Sequence, residues 1–269
     1  MIVFLGGGNM ASALIGGLIA KGTDARSIAV IESSAAAREK LAARHPVHLS
    51  AAPDAVLRAA EVLVLAVKPQ DMKAALAAVS GFPKEKLVIS VAAGITLRAL
   101  SRWLGGQRKI VRCMPNTPAL IGAGISGLFA SPQVEKSERE KAEAILRAVG
   151  EVVWVPEERL LDPVTAVSAS GPAYVFWFIE QLAAAAVKLG IAQEDALRLA
   201  KQTVLGAARL AVSSEKDPAQ LRRDVTSKGG TTEAALKVFE EEKLAERFIR
   251  AVEAASRRGA ELGEELGKD

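Results

Sequence analysis

The chain has 269 residues, half of them apolar and a quarter charged, the balance of an ordinary globular protein with room for two domains. Its net charge of +4 comes from scattered Lys and Arg with few aromatics to stack on bases, which argues against nucleic acid as a partner. One cysteine (Cys113) excludes an internal disulfide framework, and two neighbouring histidines (His45, His48) leave no cluster suited to a metal.

The first expected element is a strand at Ile2–Leu5. No basic segment precedes an apolar core there, as a secretory signal would require, and a lone thiol suits a reducing compartment, so a cytoplasmic location is expected. The strand runs into Gly6-Gly7-Gly8-Asn9-Met10-Ala11, a G-x-G-x-x-A pattern at a strand-to-helix junction. Gly6 permits the tight turn, Gly8 lets a pyrophosphate approach the backbone, and Ala11 lets the helix lie close on the strand. The pyrophosphate would sit on the N-terminus of a helix over Met10–Lys21, beside Asn9 and Met10.

A second strand at Ile28–Ile31 leads to Glu32, where an acid hydrogen-bonds the adenosine ribose diol. That acid favours NADH and repels a 2′-phosphate, while Arg38 is the nearest cation able to act the other way. The choice between NADPH and NADH stays open. After a helix near 35–44, a strand over Val62–Val67 ends in Lys68-Pro69-Gln70. Ligands of an open α/β sheet bind beyond the carboxyl ends of strands, so Ala66, Val67, Lys68 and Pro69 are expected beside the cofactor. The strand Leu87–Val91 continues into Ala92, Ala93 and Gly94, small enough for a flat nicotinamide ring to approach. A strand at Ile110–Arg112 precedes a rigid loop with two prolines, which offers Asn116 and Thr117 at the same edge. Apolar runs alternating with helices imply a doubly wound Rossmann-type parallel sheet covered on both faces.

After a strand at Val152–Val155 the reading turns entirely helical, near 160–190, 193–213, 217–224, 232–240 and 242–265. Pro156 is taken as the boundary, giving a dinucleotide-binding domain over 1–156 and a helical domain over 157–269. The most apolar stretch, 173–192, is broken by Glu180 and Lys188, which fits a buried helix and not a membrane span. The broad apolar faces of these Ala-rich helices need burial, so a homo-oligomer is expected. Within this region Asp224–Leu236 places Thr226, Ser227, Thr231 and Thr232 around a Gly229-Gly230 turn, with a helix opening after it. Such a segment is either a helix capped by Thr232 or an anion site built from hydroxyls and free N–H groups.

Together these segments resemble the pyrroline-5-carboxylate reductase family almost end to end. The resemblance rests on Gly6–Ala11, Ala66–Gln70, Arg112–Pro118, Ser168-Ala-Ser-Gly-Pro-Ala-Tyr174 and Val225-Thr-Ser-Lys-Gly-Gly-Thr-Thr232. It implies reduction of the cyclic imine 1-pyrroline-5-carboxylate to L-proline by NADPH or NADH, and a homodimer whose active site lies at the subunit interface. It also implies that Thr232 Oγ1 bonds the ring nitrogen, that Ser227 with the Thr231 and Thr232 N–H groups holds the carboxylate, and that Glu215 lines the pocket. Tyr174 and Ser170 would shape the nicotinamide end. Three positions depart from the family pattern: Ala169 in place of glycine, Lys228 in place of proline, and the acidic Glu32. The rival reading is a β-hydroxyacid dehydrogenase with Lys188 as general acid/base, but the Gly-rich helix and the partner Asn of that family are absent.

Overall fold

The computed structural model describes residues 1–79 and 81–268. Its described residues form eight strands in one sheet: β1 (Ile2–Leu5), β2 (Ile28–Ile31), β3 (His48–Ser50), β4 (Val62–Leu65), β5 (Leu87–Ser90), β6 (Ile110–Met114), β7 (Gly124–Ala130) and β8 (Gly150–Trp154). They lie in the order β3-β2-β1-β4-β5-β6-β7-β8. All neighbours are parallel except β6 and β7.

Helices α1 (Asn9–Ala20), α2 (Ala35–Ala42), α3 (Ala55–Ala59), α4 (Met72–Ala78), α5 (Leu97–Trp103) and α6 (Lys136–Arg147) connect the strands. Successive strand residues point to opposite faces, and each face has its own core. Phe4, Val30, Val64 and Ile89 pack with Leu14 and Ile15 of α1 on one side. Val3, Leu5, Leu63 and Leu65 pack with Met72 and Leu100 on the other. Both faces being dry explains why β2, β4 and β5 read as unbroken apolar runs. The strand order reverses between β1 and β4, which opens a crevice at their carboxyl ends.

Two strands escape the sequence pattern. β3 is a three-residue His-Leu-Ser segment, too short to carry a periodic signal. β7, Gly-Ile-Ser-Gly-Leu-Phe-Ala, is diluted by glycines that close packing demands: a Cβ on Gly127 would meet Val164 Cγ1 at 2.6 Å.

The sheet ends at Trp154, close to the expected boundary, yet packing divides the chain elsewhere. The first compact unit is Met1–Ser170 together with the chain from Ala254 onward, and the second is Gly171–Glu253. Thus α7 (Leu161–Val164) and a π-helical turn, Thr165–Ala169, stay with the sheet, where Leu161 and Ala166 are buried. The second unit holds α8 (Gly171–Lys188), α9 (Gln193–Ser213), α10 (Pro218–Asp224), α11 (Thr231–Glu241) and the first part of α12 (Leu244–Leu266). The last part of α12 belongs to the first unit because Leu266 packs on the sheet core and the Gly263 backbone lies against Gly94. Inside the second unit Ala183, Ala196 and Ala200 are buried, and Tyr174 meets Phe248 edge to face at 5.9 Å. No described helix is long and apolar enough to cross a membrane.

Candidate dinucleotide and substrate sites

The Gly-rich loop is shaped as its sequence predicts. Gly6 has φ +96°, and a Cβ there would press on the Ala66 carbonyl oxygen at 2.8 Å. Above Gly8 an added Cβ would meet nothing, so the backbone is open to a ligand at the mouth of α1. Gly8 is itself the N-cap and offers no side-chain cap, which leaves the first N–H groups of α1 for an anion. Asn9 is exposed, Met10 half-buried and Ala11 buried against the strands. These features fit a dinucleotide pyrophosphate.

The neighbouring strand ends converge on the same edge. Gly6 N–H bonds the Ile31 carbonyl, Ala66 N–H the Leu5 carbonyl, and Val91 N–H the Leu65 carbonyl. Ala66, Val67 and Pro69 are half-buried there, while Lys68 is exposed and has no bonding partner for its ammonium among the described residues. Of the two alanines expected near the nicotinamide, Ala92 is turned into the core and Ala93 is the more open. Glu32 follows β2 and accepts the Gly7 N–H at 2.8 Å.

Asn116 has a structural task. Its Oδ1 accepts the Ile125 N–H at 3.0 Å and its Nδ2 donates to the Ser168 carbonyl at 3.1 Å. Ser168 lies in the π-helical turn, where the widened helix changes its own hydrogen-bond pattern. The Asn-Thr-Pro loop and the Ser-Ala-Ser-Gly-Pro segment, both singled out from sequence, are thereby tied together. Nearby, Arg112 Nη1 meets Glu158 Oε1 at 2.5 Å, and that oxygen also accepts the Leu97 N–H at the start of α5. Glu158 was not a sequence candidate; the one signal was a charged Arg112 inside an otherwise apolar buried strand. A cavity of about 910 Å³ opens beside the pair, lined among others by Gly94, Thr96, Asp162 and Gly263. Burial raises the Asp162 carboxyl above its ordinary range, Arg112 opposing the shift.

The hydroxyl-rich turn is described within the second unit. Gly229 has φ +74°, a conformation glycine adopts without strain, and Gly230 N–H bonds the Ser227 carbonyl at 3.0 Å. Helix α11 begins one residue before the expected start. Its N-cap is Gly230, without a side-chain cap, so Thr232 does not cap the helix. Thr231 and Thr232 instead occupy the first two helical positions, and their N–H groups have no partner among the described residues. Glu233 reaches back to accept the Gly229 N–H at 2.6 Å, which holds the turn against the helix. Ser227 Oγ lies over Gly230, only 2.5 Å from where a Cβ would be. Thr226 is spent on the Arg222 carbonyl, and Glu215 and Lys228 are exposed. Three hydroxyls and two open N–H groups therefore gather at the N-terminus of α11. Among the described residues no group of three or more His, Cys, Asp or Glu is placed to hold a metal.

Both parts of the chain match families of known proteins. Residues 158–262 match the family model for pyrroline-5-carboxylate reductase dimerisation, and residues 1–94 match that for NADP oxidoreductase, coenzyme F420-dependent. A pyrroline-5-carboxylate reductase of Pseudomonas aeruginosa is 47% identical, covering 99% of this chain and 98% of its own. Among solved structures, a pyrroline-5-carboxylate reductase from Coxiella burnetii aligns with a TM-score of 0.90 at 45% identity, over 97% of both chains. The Plasmodium falciparum pyrroline carboxylate reductase, crystallised with NADP bound, aligns at 0.84 and 28% identity over 97% of both chains. With nearly half its residues identical over its whole length to such an enzyme, the chain belongs to the pyrroline-5-carboxylate reductase family.

Proposed function

We propose that the chain reduces 1-pyrroline-5-carboxylate to L-proline with NADPH or NADH, the last step of proline biosynthesis, working as a cytoplasmic homodimer. The observation that carries the reading is the N-terminus of α11, where Ser227, Thr231 and Thr232 surround unbonded N–H groups in a chain of this family. A small carboxylate is the anion such a turn suits.

The residues divide the work. The Gly6–Ala11 loop and the N-terminus of α1 hold the pyrophosphate, while Ala66–Pro69, Ala92 and Ala93 border the nicotinamide. When bound, the reduced nicotinamide supplies the hydride for the imine carbon. On the substrate side, Ser227 and the Thr231 and Thr232 N–H groups hold the carboxylate, and the Thr232 hydroxyl bonds the ring nitrogen. Glu215 and Lys228 add charges of opposite sign at the margin. The electrophile is the iminium form, which brings its own proton, so the site needs no strong general acid. Catalysis is then mainly orientation, a contribution that can reach roughly 7–11 kcal/mol.

The test is oxidation of NADH and NADPH, measured separately, with 1-pyrroline-5-carboxylate, and the reverse reaction of NAD⁺ or NADP⁺ with a 3-hydroxyacid. Oxidation only with the imine supports the reading; turnover of the hydroxyacid alone sinks it. Thr232→Ala should lower kcat/KM by about tenfold, the worth of one oriented hydrogen bond. Unchanged turnover would remove Thr232 from the mechanism.

A further inference from the structure

Glu32 is the first residue beyond β2, and main-chain N–H groups hold both of its carboxylate oxygens. Oε2 accepts from Gly7 at 2.8 Å and Oε1 from Ser34 at 2.8 Å. Anchored at two points, the carboxylate cannot swing aside without giving up charge-assisted bonds. The Gly-rich loop is fitted around it: a Cβ on Gly7 would lie 3.3 Å from Glu32 Cγ and collide with Leu41. Each oxygen keeps acceptor capacity after taking one N–H, so the carboxylate can still receive a ribose hydroxyl.

Arg38 is the cation that would neutralise a second anion here, and it is already engaged. Its Nη1 donates to the Glu32 carbonyl at 2.6 Å and to the Ser33 carbonyl at 2.8 Å. It braces the turn that presents Glu32, with its side chain partly buried. The end of β2 thus offers a pinned negative charge, and Arg38 beside it directs its Nη1 at carbonyl oxygens. A 2′-phosphate would bring roughly two more negative charges to that place.

We propose that this chain selects NADH over NADPH, with the pinned Glu32 carboxylate as the specificity-determining group and Arg38 as its brace rather than as a phosphate receptor. The inference rests on the dinucleotide reading above and goes beyond it, since the family resemblance by itself leaves both cofactors open.

Calorimetric binding of NADH and of NADPH to the full-length protein tests it without relying on turnover. NADH should bind about tenfold or more tighter, the scale of a close, partly screened like-charge contact. Glu32→Gln keeps the shape without the charge and should bring the two dissociation constants to within about threefold. Arg38→Ala should leave the NADH preference in place. NADPH binding as tightly as NADH to the unaltered protein would overturn the proposal while leaving the dinucleotide site standing. So would a Gln variant with the original ratio, or an Arg38→Ala variant that loses NADPH selectively. Binding of neither nucleotide would overturn the dinucleotide reading and the proposal together. If Glu32→Gln lacks a cooperative unfolding transition, the ratio for the unaltered protein and the Arg38→Ala result decide.

Discussion

The Arg112 guanidinium and the Glu158 carboxylate meet at 2.5 Å across 46 residues of chain, and the same Glu158 oxygen accepts the Leu97 N–H at 2.7 Å. One carboxylate thus joins β6, the start of α5 and the segment that follows β8. Arg112 is nearly buried, its side chain 8% exposed, whereas Glu158 retains 30%. Glu158→Ala leaves a buried guanidinium and a helix N–H without their partner. The expected loss is about 2–4 kcal/mol, since removing one member of a buried pair costs more than the pair contributes. Urea unfolding at constant m-value measures it; a change under half a kcal/mol would mean that water replaces Glu158 at no cost.

A methyl at Gly230 would displace Ser227. The added Cβ would lie 2.5 Å from Ser227 Oγ and 3.0 Å from its carbonyl oxygen, so the hydroxyl must rotate away. Gly230→Ala should raise KM for 1-pyrroline-5-carboxylate about tenfold, the loss of one hydrogen bond to a charged group, with kcat less affected. Helix content should be unchanged by circular dichroism. An unchanged KM would separate Ser227 from carboxylate binding.

Asn116 bonds two main-chain groups, and a carboxylate can replace only one of these contacts. Asn116→Asp keeps the acceptor for the Ile125 N–H but turns an oxygen toward the Ser168 carbonyl, where Nδ2 donated. The expected destabilisation is about 1–3 kcal/mol, seen as a lower melting temperature. A melting temperature equal to that of the unaltered protein would contradict the cross-link.

His45 gives the fold a pH dependence of predictable sign. Burial, and then the charge of Arg44, lower its pKa from the usual 6.5, while its Nε2 lies 3.0 Å from Ser12 Oγ. The folded chain therefore holds the neutral ring where the unfolded chain would bind a proton. Stability from this group is fully present above pH 6.5 and is lost as pH falls from there through the lowered value. Urea midpoints at neutral and mildly acidic pH should drop more for the unaltered protein than for His45→Gln. Equal drops would show that His45 carries no linkage.

Much of the fold and of the site was legible because the demands were local. Gly6 and Gly229 hold positive φ, Gly8 leaves room above the backbone, and the apolar runs of β2, β4 and β5 announce a sheet buried on both faces. The hydroxyls at 227, 231 and 232 were readable as a set, although the helix is capped at Gly230 and not at Thr232. Only side-chain identity was visible for Asn116 and Glu32. That one spends its amide inside the fold, and that the other is pinned between Gly7 and Ser34, depends on neighbours placed by packing.

By itself, then, the sequence determined a glycine-rich loop on a parallel sheet, a helical remainder, and a glycine-hinged turn rich in hydroxyls, each written in a few adjacent residues. Tertiary structure alone decided the pairing of β3 and β7, the division of α12 between two units, and the Arg112–Glu158 and Asn116–Ser168 links. It also decided the orientation of the Glu32 carboxylate toward the loop. These contacts join residues from 13 to more than 50 positions apart, so no local propensity encodes them; they follow from which surfaces the two cores press together.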